Sequence, residues 1–281
     1  MKNKSANVGY KKSLYEKFNL LILDLIWLFY RLTGFKKVDT SKKIILCYHS
    51  IGEDGWRFST RVKTFKEHFD YLTKNYKLVS LSKLLEDNEG GINLAFDDGY
   101  RNLITNVFPI LKEAGVSASL FVIGERKKAN RSELGNNLPL LNDEELLKLK
   151  KNNWEIGFHT ETHANLNELT DERLNEEINL AKSKLEKNLG LKLDFFAYPR
   201  GHYSTRIEKY VAKAKFKSAF TVDGGFLNLT ANKYYLARVP MEGEIKTHQF
   251  AALLSPLGML TAKVLIRLLK VKAKIVSALT N

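Results

Sequence analysis

The stretch Ile92–Tyr100, INLAFDDGY, decides how this chain is read. A short, mostly apolar run leads straight into two adjacent carboxylates, Asp97 and Asp98, and a glycine. Such a run without clean polar alternation suits a strand covered on both faces, as strands of parallel sheets are. Asp-Asp-Gly alone is compatible with a simple turn. Two neighbouring carboxylates at the end of a buried strand nevertheless repel each other, and burying each costs about several kcal/mol unless it is paired. A cation resolves that conflict.

Working outward, six more β-like runs recur: Ile44–Tyr48, Ser117–Ile123, Trp154–Phe158, Asp194–Tyr198, Lys217–Val222 and Tyr234–Val239. Helical patterns fall between most of them, at Thr64–Asn75, Arg101–Ala114, Asp143–Asn152, Asp171–Leu189 and Ser204–Ala214. Thr170-Asp171 reads as a helix start, and Gly115 and Gly190 as stops. Alternation of strand and helix predicts an α/β protein with a parallel sheet. Seven such units can close into a barrel with helices outside; an open doubly wound sheet is the competing arrangement.

The 281 residues are 44% hydrophobic and 27% charged, with only 5 Pro and 17 Gly, which excludes a disordered or fibrous chain. A single cysteine, Cys47, excludes an internal disulfide framework and a cysteine-based zinc cluster. The net charge of +14 is concentrated at the ends. Residues 1–43 hold ten Lys/Arg and three Asp/Glu, residues 246–281 hold six and none, and residues 44–245 are nearly balanced at 29 and 28. A neutral middle lacks the basic face of a nucleic-acid binder, and no zinc-finger, RRM or KH signature is present, so no nucleic-acid partner is expected.

Three segments follow: a basic N-terminal segment over 1–42, a central domain over 43–245 and a basic C-terminal segment over 246–281. In the first, Phe18–Tyr30 is apolar and follows Lys2, Lys4, Lys11, Lys12 and Lys17. It is shorter than the roughly 20 residues of a spanning helix and contains Asn19 and Asp24. No small-x-small cleavage site follows it. A monotopic helix lying in a membrane interface is the preferred reading, ahead of a helix docked on the domain or an uncleaved spanning anchor. In the last segment, Lys263, Arg267, Lys270 and Lys274 form one helical stripe. Leu257, Leu260, Val264, Leu268, Val271 and Ile275 form another. That pairing suits an anionic membrane surface as well as it suits a last helix covering the barrel. The chain is therefore expected at a membrane, peripheral or monotopic, with the side left open.

The chemistry-bearing residues sit just after strands: His49, Asp97-Asp98, His159 with His163, and Pro199-Arg200-Gly201, with Arg238 near the end of the seventh run. In a parallel barrel those ends share one face, where active sites form. His159 and His163 plus one carboxylate, Asp98 or Asp97, make a catalytic zinc set with a position open for water. One Asp then ligates and the other accepts the water's proton, while the metal and a backbone N–H polarise a carbonyl oxygen. That is hydrolysis of an amide or ester.

These residues fall into motifs that resemble a known family. Asn93–Tyr100 (NLAFDDGY) is similar to the Thr-Phe-Asp-Asp-Gly-Tyr motif of polysaccharide deacetylases, the NodB-homology domain of carbohydrate esterase family four. His159–Leu166 (HTETHANL) resembles its His-Ser/Thr-x-x-His-x-x-Leu motif, and Phe196–Gly201 (FAYPRG) its third motif in the Tyr-Pro-x-Gly variant. Leu46–Ile51 (LCYHSI) resembles the Tyr-His strand of exopolysaccharide-type members, and Ala237–Pro240 (ARVP) the closing Arg-Ile/Val-Pro segment. The resemblance covers about residues 43–245.

It implies a distorted, TIM-barrel-like (β/α)7 barrel, here flanked by N- and C-terminal amphipathic helices. It implies a divalent metal, Zn2+ first and Co2+, Ni2+ or Fe2+ as substitutes, and removal of N-acetyl groups from N-acetylhexosamine units of a glycan. Asp97 would be the general base, and Asp98, His159 and His163 the metal ligands. Tyr100, Tyr198, Pro199, Arg200, Gly201 and Arg238 would shape the substrate side, with a backbone N–H of the third motif serving the oxyanion. Trp56, Tyr100 and Tyr203 are candidates for stacking on sugars.

The chain departs from the family pattern in three places. Ala95 replaces Thr of the first motif. Ala197 stands where many members carry an Arg that orients the base, with Arg200 or Arg238 as substitutes. The Leu-x-x-His motif that supplies the general acid is not apparent, because His248 lacks a strand context. His49 is the expected stand-in for that acid, protonating the leaving amine. His68 reads as an ordinary helix residue and His202 as a loop residue near the site. The competing readings are a non-catalytic glycan-binding module on the same fold and a deacetylase of a small non-sugar amide.

Overall fold

The computed structural model describes residues 14–33, 39–86, 89–230, 232–243 and 245–280. Its seven strands are β1 (Lys43–Tyr48), β2 (Gly91–Phe96), β3 (Ser119–Val122), β4 (Glu155–Phe158), β5 (Phe195–Ala197), β6 (Ser218–Phe220) and β7 (Val239–Pro240). They form one parallel sheet in the order β6-β5-β4-β3-β2-β1-β7. From β1 to β6 each strand lies beside its sequence neighbour, so the order never reverses as it does in a doubly wound sheet. The sheet curls into a barrel-like (β/α)7 fold.

Closure falls to the chain around β7. Thr221 N–H donates to Leu236 O (2.8 Å) and Arg238 N–H to Thr221 O (3.2 Å), which ties this stretch to β6. β7 itself then pairs with β1 at Leu46 and Cys47. The strand expected over Tyr234–Val239 is thus an irregular segment that bridges two edges, with only Val239–Pro240 in regular pairing. Just beyond it, Met241 N–H donates to Cys47 O (2.8 Å).

Alternation along the strands sorts the core into two layers. Ile45, Ala95, Phe121, Ala197 and Phe220 pack together within the curl, whereas Ile44, Leu46, Leu94, Phe96, Leu120 and Val122 join the larger core against the helices. Gly157 in β4 is required by this packing, because a Cβ there would meet the Phe121 ring at 2.6 Å.

The helices follow the sequence with two local changes. The one expected over Arg101–Ala114 is split into Leu103–Asn106 and Phe108–Glu113. Pro109 lacks the N–H needed to continue the ladder across the break. The one expected over Asp171–Leu189 is continuous but carries a π turn at Glu176–Leu180. Thr170 caps its start and Gly190, at φ 63°, ends it.

The N-terminal helix, Leu14–Thr33, packs on the short helix Thr247–Leu253 through Leu23, Ile26 and Tyr30. Asp24, which interrupts its apolar run, accepts hydrogen bonds from His248 Nε2 (2.7 Å) and Gln249 Nε2 (3.0 Å). A docked helix is therefore what one face of it makes, while Phe18, Leu21, Leu25 and Leu28 remain exposed on another. The C-terminal helix spans Pro256–Thr280. No single helix among the described residues is long and apolar enough to cross a membrane. Lys2, Lys4, Lys11 and Lys12 lie outside the described residues, and so do the side chains of Lys270, Lys274 and Ile275.

Candidate metal centre and catalytic cleft

The strand ends bring the sequence motifs to one place. β2 delivers Asp97 with its N–H held by Tyr48 O (2.9 Å), and the chain then turns through Asp98 at φ 66° and Gly99 at φ 82°. An Asp tolerates that left-handed conformation better than most residues. Of the six non-glycine residues with positive φ among those described, Asp98, Thr160, His163 and Arg200 belong to this site. Strain gathered in this way is a mark of function.

The turn sends the two carboxylates to different partners. Asp97 receives a bidentate ion pair from Arg238, Nη1 to Oδ1 at 2.7 Å and Nη2 to Oδ2 at 2.8 Å. Cys47 Sγ donates to Oδ2 at 3.3 Å. Arg238 is fully buried, with its guanidinium 5.0 Å from the Phe121 ring centre. Burial alone would push the Asp97 carboxyl up, but the charge and hydrogen bonds of Arg238 outweigh it and hold the group well below the usual carboxylate range.

Asp98 has no such counterion. Its Oδ1 lies 3.5 Å from His159 Nε2 and 3.6 Å from His163 Nε2 and has no hydrogen-bond partner. Burial, then the neighbouring Asp97 charge, pushes its carboxyl up to about 8. His159 Nδ1 donates to Ala197 O at 2.8 Å, which leaves the Nε2 lone pair aimed at Asp98. His163 is steadied through its N–H, which donates to Thr160 Oγ1 at 3.0 Å. Burial lowers the pKa of both imidazoles, so both are neutral. One ligand atom from each of Asp98, His159 and His163 lies within 4.8 Å of the others. An orphaned, buried carboxylate oxygen facing two neutral imidazoles fits a divalent metal, and the His2Asp donor set suits zinc.

His49 extends from β1 on the Asp97 side. Its ring packs between Trp56 (5.8 Å) and Phe58 (5.1 Å), its Nδ1 has no partner, and burial brings its pKa down to about 4. A cavity of about 580 Å3 opens over His49, Asp97, Asp98, His159 and His163. Trp56, Tyr198, Arg200 and Gly201 are among the residues that line it.

Two residues expected on the substrate side lie behind it instead. Tyr100 is fully buried, receives a hydrogen bond from Asn136 (2.8 Å) and gives one to Asp98. Arg238 is paired with Asp97 and does not line the cavity, whereas Arg200 does. Pro199 shapes the turn without lining the cavity, and Tyr203 donates to Glu208 away from it. In the third motif the N–H groups of Tyr198, Gly201 and His202 are committed to backbone carbonyls of Phe220, Tyr198 and Pro199, so none of these three is available to an oxyanion. His248 is bound to Asp24, and His202 faces Asn165 (3.1 Å). His68 is more than an ordinary helix residue: it is buried between Tyr48 OH (3.2 Å) and Ile245 O (2.8 Å). Cys47 is the site neighbour that the motifs miss. Strand alternation places it on the same face of β1 as His49, and that is the signal that finds it.

Residues 85–219 match the family model for polysaccharide deacetylase. That span runs from before β2 through most of β6 and leaves His49 and Arg238 outside. YxkH of Bacillus subtilis is 26% identical over 222 residues, 75% of this chain and 76% of that one. The poly-beta-1,6-N-acetyl-D-glucosamine N-deacetylase of Staphylococcus aureus is 24% identical over 208 residues, 68% of each. Among solved structures, the Streptococcus pyogenes deacetylase PplD in complex with acetate superposes with a TM-score of 0.63 at 21% identity, covering 80% of this chain and 99% of its own.

Proposed function

We propose that this chain, a member of the polysaccharide deacetylase family, removes N-acetyl groups from N-acetylhexosamine units of a glycan with a divalent metal held by Asp98, His159 and His163. The observation that carries this reading is the uncompensated Asp98 carboxylate facing two neutral imidazoles, beside a carboxylate already neutralised by Arg238. A metal bound there would polarise the acetamide carbonyl and lower the pKa of water.

The other roles belong to this chain's own side chains. Arg238 fixes both oxygens of Asp97, so the carboxylate meets the attacking water in one orientation. Asp97 accepts that water's proton as the new C–O bond forms. The amine needs a proton before the C–N bond can break. His49, neutral when substrate arrives, takes that proton over from Asp97, its ring nitrogen lying within 4.8 Å of the carboxylate, and delivers it to the amine nitrogen as the C–N bond breaks. Acetate and a free amino sugar leave, and both carboxylate and imidazole return to their starting states. Trp56, Tyr198 and Arg200 bound the sugar.

The test is acetate release from a panel of N-acetylglucosamine oligomers and polymers, with added zinc, with chelator and with Asp97→Asn. Chelator-sensitive release that vanishes in Asp97→Asn is the expected result. A folded, zinc-loaded protein that binds these glycans and releases no acetate from any of them would overturn the proposal in favour of a binding module.

A further inference from the structure

Beyond the catalytic reading, the terminal helices carry an unusual surface. Thirteen of the 16 exposed large apolar side chains among the described residues lie on Leu14–Thr33 and Pro256–Thr280. They form two continuous stripes. Phe18, Leu21, Leu25, Leu28 and Leu32 follow helical spacing on the first, opposite the face that buries Leu23, Ile26 and Tyr30. Leu257, Leu260, Val264, Leu268 and Val271 do the same on the second. Apolar surface on this scale marks a docking face.

We propose that these two helices form a bilayer-docking face for anionic lipid, set beside the mouth of the catalytic cleft. Charge selects the occupant. Lys17, Arg31, Lys263 and Arg267 are exposed on the same helices, and residues 246–281 contain no Asp or Glu. A second copy of this chain would set basic helix against basic helix. Anionic headgroups complement the charge while the acyl boundary takes the apolar stripes. The only acid near the middle of the first helix, Asp24, is turned inward onto His248 and Gln249. The placement also serves the cleft. Leu20 from the first helix and Ile266 and Leu269 from the second line the same cavity as His49 and Asp98, so a docked protein holds its cleft at the lipid surface.

The test is sedimentation of the full chain with vesicles of phosphatidylcholine alone and of phosphatidylcholine mixed with phosphatidylglycerol. Binding to the mixed vesicles is expected, with loss in about 1 M salt. The fourfold variant Leu21→Glu, Leu25→Glu, Val264→Glu, Leu268→Glu touches neither the metal centre nor the cavity lining. It is expected to bind at least about tenfold more weakly, with the wild-type circular-dichroism spectrum. A wild-type chain that stays in solution with anionic vesicles overturns the proposal, as does a variant that binds as well as wild type. A wild-type dimer that the variant splits, with no vesicle binding, also overturns it and assigns the face to a second copy. Vesicle binding is read without substrate, so a failure of the deacetylase reading leaves this result intact.

Discussion

Asp97 and Asp98 are neighbours in sequence, equally buried at 2% exposure, and opposite in circumstance. Asp97 has a permanent counterion in Arg238 and is ionised at any working pH. Asp98 faces two neutral imidazoles, and its carboxyl is pushed up to about 8. Burial acts on both in the same sense, so the difference comes from the charges beside each: Arg238 lowers Asp97, and the ionised Asp97 raises Asp98. One half of the site has its counterion within the protein, and the other sets a carboxylate against two neutral imidazoles. The left-handed turn at Asp98 is what sends the adjacent side chains apart.

The largest expected effect breaks the two halves one at a time. Asp98→Asn removes a ligand, so bound zinc measured by atomic emission falls well below one per chain. Acetate release falls by about a thousandfold or more, roughly 4 kcal/mol in the barrier. Asp97→Asn loses turnover to a similar depth but keeps its zinc. Equal loss of metal from both variants would erase the distinction between the halves.

Next in size is the ion pair itself. Arg238→Met strands the buried Asp97 charge and is expected to cost about 3–5 kcal/mol in urea unfolding. Adding Asp97→Asn removes that charge and recovers most of the loss. A double variant no more stable than Arg238→Met would show that Arg238 contributes by packing on Phe121 rather than by pairing.

The strands were legible because a buried parallel strand needs an unbroken apolar run, and Ile44–Tyr48 and Ile92–Phe96 are such runs. The cluster of Asp98, His159 and His163 was legible because its residues follow β2 and β4 at short spacing. Arg238 was visible as a candidate but not placeable. Its partner lies 141 residues away, and only the ring closure of the sheet brings the two together. Local propensity also misses tertiary and steric overrides: Pro109 splits a helix, and Tyr234–Val239 divides its backbone bonds between β6 and β1. The N-terminal helix defeats a one-face reading, because it buries one apolar face and exposes a second.

His68 sharpens the contrast from outside the site. Like His49 it is brought down to about 4, chiefly by burial, but both its ring nitrogens have partners, whereas His49 Nδ1 has none. The unfolded chain protonates this side chain near 6.5 and the folded chain only near 4, so between those values the unfolded state binds more protons. Stability is therefore full above about 6.5 and falls as the pH drops toward 4, by about 3 kcal/mol from this group. In His68→Asn that slope should flatten by the same amount in urea titrations run across the window. An unchanged slope would place the acid sensitivity in other groups.

The smallest expected effect belongs to Cys47, and it asks how self-sufficient the Asp97 half is. The thiol is fully buried, its pKa is pushed well up by burial, and it stays protonated as a weak donor to Asp97 Oδ2. Arg238 already holds both carboxylate oxygens, so the thiol adds one hydrogen bond to an oriented group. Cys47→Ala should cost about 1–2 kcal/mol of stability, from that bond and the lost sulfur packing. Acetate release should stay within a small factor of wild type, with an unchanged pH profile, and Cys47→Ser should restore much of the stability. A fall in turnover as deep as that of Asp97→Asn, at intact metal content, would mean that Arg238 alone does not set the orientation of the base. The thiol would then join Arg238 as a positioning residue, and the half that looks complete with one counterion would depend on two partners.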